Sequence, residues 1–190
     1  MGLLKNMLVV ATMLALSVDR SAGQISIPSR SVGFVYDQLP EVPNVEIAAY
    51  LDATCGDSAA VYPTLLQIAE FYHNDRVQFR MHLHNLPYHA NSHPIAKAAH
   101  VLEDFAPNNN TAFKWISLIF NNIYSINSQA TADMTSRQVL DRLGTMANQL
   151  TGIEDSDFKT KMRYSRFEWL ARMDFKYGCT RGVHRCGYKC

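Results

Sequence analysis

Residues 45–58 read VEIAAYLDATCGDS, and the chain changes character within them. Val45–Leu51 is a mostly apolar run of strand length, the pattern of a strand buried on both faces. Asp52-Ala53-Thr54 interrupts it. Cys55-Gly56-Asp57-Ser58 then leads into a helical pattern from Ala59 to about Tyr72, where Leu65, Leu66, Ile68, Ala69 and Tyr72 recur at helical spacing. Val77–Leu83 (VQFRMHL) alternates apolar and polar residues, which predicts a second strand. Strand, helix and strand in this order form a right-handed crossover between two parallel strands. Cys55 thus falls at the carboxyl end of one strand and the amino end of the next helix. Ligands and reactive groups gather at that edge of an open α/β sheet.

Upstream, Val32–Tyr36 is a short strand candidate ended by Asp37 and the Pro40/Pro43 pair. Downstream the pattern is helical from His89 onward. Ser92 is a candidate N-cap, with Pro94 in the first turn of a helix over Ile95–Phe105. Pro107–Thr111 breaks the run, and Ala112–Tyr124 reads as one apolar helix. Thr135 or Ser136 caps Arg137–Leu150, and Asp155 or Ser156 opens a long helix through Tyr177, with Gly178 as its stop. Trp115 and Trp169 are most simply core residues of these helices. No internal repeat or low-complexity tract is present.

Composition narrows the function classes. Of 190 residues, 47% are hydrophobic and 18% charged, so the chain can bury a core. Eighteen basic against seventeen acidic residues give a formal net charge of +1, with no basic cluster, which argues against nucleic acid as the partner. Met1–Gly23 reads as a secretory signal: Lys5 precedes the apolar run Met7–Val18, and Ser21-Ala22-Gly23 offers a cleavage site before Gln24. An anchor helix is the alternative, but the run is short and Asp19-Arg20 follow it at once. No later segment is long and apolar enough to span a membrane, so no membrane partner is expected after cleavage. Asn109-Asn110-Thr111 is an N-glycosylation sequon, which suits a chain secreted or held in the endoplasmic reticulum lumen. Disulfide chemistry persists in such compartments.

That setting gives Cys55 its interest. Helix amides and dipole stabilise an anion at a helix start, so a thiolate is favoured there, and the thiolate is the form that exchanges disulfides. Gly56, Asp57 and Ser58 are small or polar, which predicts an accessible sulfur. The alternative is a structural cysteine packed like a small hydrophobe. Pro63 lies eight positions on, where a proline would kink the helix. Asp57 reads as a solvated first-turn acid. A metal reading exists for His82, His84, His89 and His93, two on one strand face and two at helical spacing, but no carboxylate or cysteine lies near them in sequence. Cys179, His184, Cys186 and Cys190 have zinc-compatible chemistry at an unfamiliar spacing. A tail disulfide fits those cysteines better, and three pairings of the four cysteines stay open. No metal and no cofactor are expected.

A buried strand, Cys-x-x-(Cys/Ser) at a helix start and proline eight residues after the cysteine together resemble the thioredoxin superfamily. The helices that follow make it similar to the DsbA-like branch, and Leu86-Pro87-Tyr88-His89-Ala90-Asn91 to its eukaryotic secreted members. The resemblance implies an α/β, thioredoxin-like fold over residues 24–190 with a helical insertion at about 90–177. It also implies protein or peptide thiols and disulfides as partners, with Cys55 and Ser58 as the site. Two departures matter. Ser58 stands where the family has its second cysteine, and a serine cannot resolve a mixed disulfide, which leaves a single-thiol exchange. No proline follows Pro107, so the family's cis-proline loop has no counterpart. The final strands and closing helix are expected to be missing, which would leave an open sheet edge and poor stability. The alternatives are a redox-inactive peptide-binding module or a non-functional truncated product.

Overall fold

The computed structural model describes residues 32–39, 42–72, 76–107 and 110–183. The signal segment, Asn109 of the sequon, and His184, Cys186 and Cys190 of the tail lie outside the described residues.

The chain runs β1 (Phe34–Val35), β2 (Val45–Leu51), α1 (Gly56–Tyr72), β3 (Val77–Leu83), and then six helices. These are α2 (Ser92–Phe105), α3 (Thr111–Asn121), α4 (Ile123–Ile126), α5 (Ser136–Thr151), α6 (Asp155–Lys161) and α7 (Ser165–Thr180). The sheet order is β1-β3-β2. β2 and β3 are parallel in the register Val45↔Val77 to Leu51↔Leu83, the expected crossover, and β1 is antiparallel to β3. Because Leu51 and Leu83 sit side by side, the turn carrying Cys55 and the turn after β3 leave the sheet at the same edge.

β3 is the buried strand: Phe79, Met81 and Leu83 lie in the core. β2 is not buried on both faces as its composition suggested. It is an outer strand, Val45, Glu46 and Ala48 are exposed, and only Leu51 is fully buried. An apolar run fixes strand propensity but not position in the sheet, and among the described residues no strand lies outside β2.

The helices assemble a core against β3, with α2 packed on α3, α5 and α7. Trp115 is fully buried and its indole N–H donates to the Ile95 carbonyl at 3.1 Å. Tyr62 of α1 reaches the same layer, its hydroxyl donating to the Phe113 carbonyl at 2.7 Å, and burial pushes its phenol well above the ordinary value. α5 begins at Thr135 with a reciprocal capping box to Gln138.

Four boundaries differ from expectation. Asn91, not Ser92, precedes α2, because the Ser92 hydroxyl is used elsewhere. The apolar helix divides at Asn122 into α3 and α4. The long helix divides at Met162–Tyr164 into α6 and α7. Phe158, Met162 and Phe167 are all buried. At about 100° per residue a continuous helix would turn Phe167 to the side opposite Phe158, so the chain is rephased between them. Gly178 does not stop α7: it is buried inside the helix, and a Cβ there would collide with the His84 ring. The stop is Gly182 at φ +71°, where the amides of Val183 and Gly182 bond back to the Gly178 and Cys179 carbonyls in a Schellman motif. Trp169 is 55% exposed rather than core, since it lies off the α7 face formed by Phe167, Ala171, Asp174 and Gly178.

Candidate thiol site

Cys55 takes the N-cap place of α1. Its carbonyl accepts from the Ala59 amide at 3.0 Å, the first bond of the helix, and its own amide donates to the Asp52 carbonyl at 3.2 Å. The sulfur therefore belongs to a residue at the electropositive mouth of the helix, as its place in the sequence implied. The expected accessibility is not met: Cys55 is only 7% exposed. Small polar neighbours do not keep a turn in solvent when something beneath draws it down.

That something is Asp52, which has no solvent exposure. Its Oδ1 accepts from the Thr54 amide at 2.8 Å and from the Ser92 hydroxyl at 2.6 Å, and its Oδ2 accepts from the Leu86 amide at 2.6 Å. His89 Nδ1 lies 3.0 Å from Oδ1, close to it but without hydrogen-bond alignment. The Thr54 and Ser92 hydroxyls are 2.7 Å apart, and the His84 amide donates to the Leu51 carbonyl at 2.8 Å. These contacts join the Cys55 turn to the 84–92 segment. Leu86 and His89, within the stretch that carries the resemblance, thus hold the Cys55 turn through Asp52.

Ser58 is also fully buried, and its oxygen accepts from the Asp52 amide at 3.1 Å. Its place is beneath the turn, supporting Asp52. Pro63 lies inside α1 on an exposed position, and the helix continues past it to Tyr72. Asp57 is exposed in the first turn, as expected.

The histidines do not converge. His82 and His84 share a face, as strand alternation requires, and both turn towards α7. His82 Nδ1 lies 3.5 Å from Asp174 Oδ1, while His84 stacks on Phe175 at 5.0 Å between ring centroids. Asp174 is buried, and its Oδ2 is 3.0 Å from His100 Nε2. Burial opposes its charge, yet the His100 and His82 imidazoles hold its carboxyl below the ordinary aspartate value. His89 belongs to Asp52, and His93 Nε2 contacts Glu168 Oε1 at 3.0 Å. Among the described residues no group of three ligating side chains is placed to hold a metal ion. Cys179 is exposed on α7 and is not joined to Cys55.

The in-register parallel crossover, the cysteine at the helix mouth and the helical layer after β3 define an α/β, DsbA-like thioredoxin fold with a helical insertion. Solved structures share this fold. The chain is similar to a provisionally assigned protein-disulfide isomerase from Pseudomonas syringae, at 15% identity and a TM-score of 0.63, over 74% of this chain and 77% of that one. It is similar to the thiol-disulfide exchange protein alpha-DsbA2 from Wolbachia pipientis, at 15% identity and a TM-score of 0.56, over 80% and 72%. No family model and no curated protein sequence matches it.

Proposed function

We propose that this protein exchanges disulfides with polypeptide substrates through the single thiol of Cys55, in the secretory pathway that residues 1–23 address. The observation that carries the reading is the place of Cys55, at the N-cap of α1 beyond the end of β2, in a fold shared with a thiol-disulfide exchange protein. The Cys55 thiolate attacks one sulfur of a substrate disulfide. A bond forms between them, and the other substrate sulfur leaves as a thiolate. A second thiol, from the same substrate or from a small thiol, then attacks the mixed disulfide and releases Cys55. Electrons balance without an added oxidant, and the outcome is isomerisation or transfer of a disulfide. Ser58 takes no part beyond supporting Asp52.

Incubation of the full-length chain with glutathione disulfide, followed by intact mass measurement and peptide mapping, tests this. The expected result is one glutathione adduct on Cys55, lost in Cys55→Ser and removed by dithiothreitol. If Cys55 stays unmodified while Cys179 reacts, the thiol reading fails. The burial of Cys55 and Ser58 favours a second reading, a non-covalent peptide-binding module, and that result would select it.

A further inference from the structure

A cleft of about 600 Å³ opens where α2 meets α5, a size suited to a small ligand or a few side chains. Its floor is apolar, with Val139, Leu140, Met134 and Met162. One wall is the start of α2 with Asn91, one residue before Ser92, whose hydroxyl holds Asp52 and Thr54. The cleft is therefore built on the same segment that supports the Cys55 turn.

Two features of the lining point to a guest. Arg163 lines the cleft, and while its amide donates to the Thr160 carbonyl, its guanidinium has no hydrogen-bond or ion-pair partner among the described residues. Lys97 is paired with Glu168 at 3.1 Å, and His93 contacts the same carboxylate at 3.0 Å, so the cation left unpaired on the rim is Arg163. Asn91 is buried, and its amide nitrogen donates to the Ile126 carbonyl and to Thr131 Oγ1, both at 2.7 Å. Its carbonyl oxygen receives no donor among the described residues. The cleft thus offers an aliphatic floor, an unneutralised guanidinium and an open acceptor.

A complementary guest brings an aliphatic group, an anion and an N–H donor together. A polypeptide segment supplies all three when an aliphatic residue neighbours an acidic one. We propose that the α2–α5 cleft binds extended polypeptide segments of this acidic-aliphatic type and so selects the chains presented to Cys55. The binding stands on the cleft alone, while its role in presentation rests on the thiol-exchange reading.

Fluorescence anisotropy with labelled, cysteine-free decapeptides tests the binding in the full-length Cys55→Ser chain, where no covalent capture contributes. A glutamate-leucine peptide should bind about ten-fold or more tighter than its lysine-leucine counterpart. Arg163→Glu should reverse or abolish that preference, and Leu140→Asp should weaken both peptides. Arg172→Glu, an exposed reversal outside the cleft, should leave binding unchanged. Equal binding of the two peptides, or an unaltered preference in Arg163→Glu, would overturn the proposal. So would tight binding of decanoate with no binding of either peptide, since the guest would then be a free aliphatic acid. Arg163 is exposed, so its reversal tests the proposal even if Leu140→Asp fails to fold. None of these arms uses the sulfur, so their failure is distinct from absence of the glutathione adduct on Cys55.

Discussion

Asp52 gathers two main-chain amides and the Ser92 hydroxyl onto a carboxylate sealed from solvent, and Ser58 bonds the same residue from below. A buried acceptor set of this kind is costly to disturb, because each donor left behind keeps its desolvation penalty. Asp52→Asn replaces one accepting oxygen by a donating nitrogen facing donors. We expect it to lower unfolding free energy by about 3 kcal/mol in urea titrations. Ser58→Ala removes only the acceptor for the Asp52 amide and should cost about 1–3 kcal/mol, while glutathione capture at Cys55 persists. Loss of capture in a folded Ser58→Ala chain would give the hydroxyl a chemical role that its burial does not suggest. The sequence made Cys55 and its spacing to Ser58 legible, because both follow from a strand ending where a helix begins. It concealed Asp52, whose partners Leu86 and Ser92 lie 34 and 40 positions away. The only local sign was Thr54 two residues on, the spacing of an aspartate turned back on its own chain.

Among the elements, legibility followed how local the governing interaction is. The capping box at Thr135 and Gln138 lies within four consecutive residues, and the sequence narrowed the cap to Thr135 or Ser136. The exposure of β2 could not be read, since it depends on which strands flank it. Nor could the break between α6 and α7, where no proline or glycine marks the change of phase and the burial of Phe158 and Phe167 decides it. Gly178 illustrates the same limit: its composition suggested a helix stop, whereas its function is to let α7 lie against His84. Gly178→Ala should therefore cost about 1–3 kcal/mol through forced displacement of a buried ring. Gly56→Ala, where an added Cβ meets no neighbour, should stay within about 0.5 kcal/mol. Equal effects of the two substitutions in urea unfolding would show that α7 does not need the close approach.

Across the whole molecule, α7 is held to the rest of the fold by acids facing histidines. Asp174 meets His82 from β3 and His100 from α2, with Tyr177 beside the His82 ring, and Glu168 meets His93 and Lys97 from α2. Burial opposes the charge of both carboxyls, but their basic partners hold both below ordinary values. The unfolded chain, with ordinary carboxyl values of about 4, takes up these protons first as pH falls. Their contribution is therefore complete above that range and is lost as pH falls through the depressed folded values. Glu46 is held low by its hydrogen bond from Arg80 but is solvent-screened and adds little. Urea unfolding from pH 7 to pH 3 should accordingly show stability falling most steeply below about pH 4. Asp174→Asn should be less stable at pH 7, because two histidines lose their anion, and should fall less steeply in acid. Glu168→Gln should do both more weakly, being partly exposed. If Asp174→Asn keeps the full acid slope, the protons enter elsewhere and the α7 seam is not what acid opens.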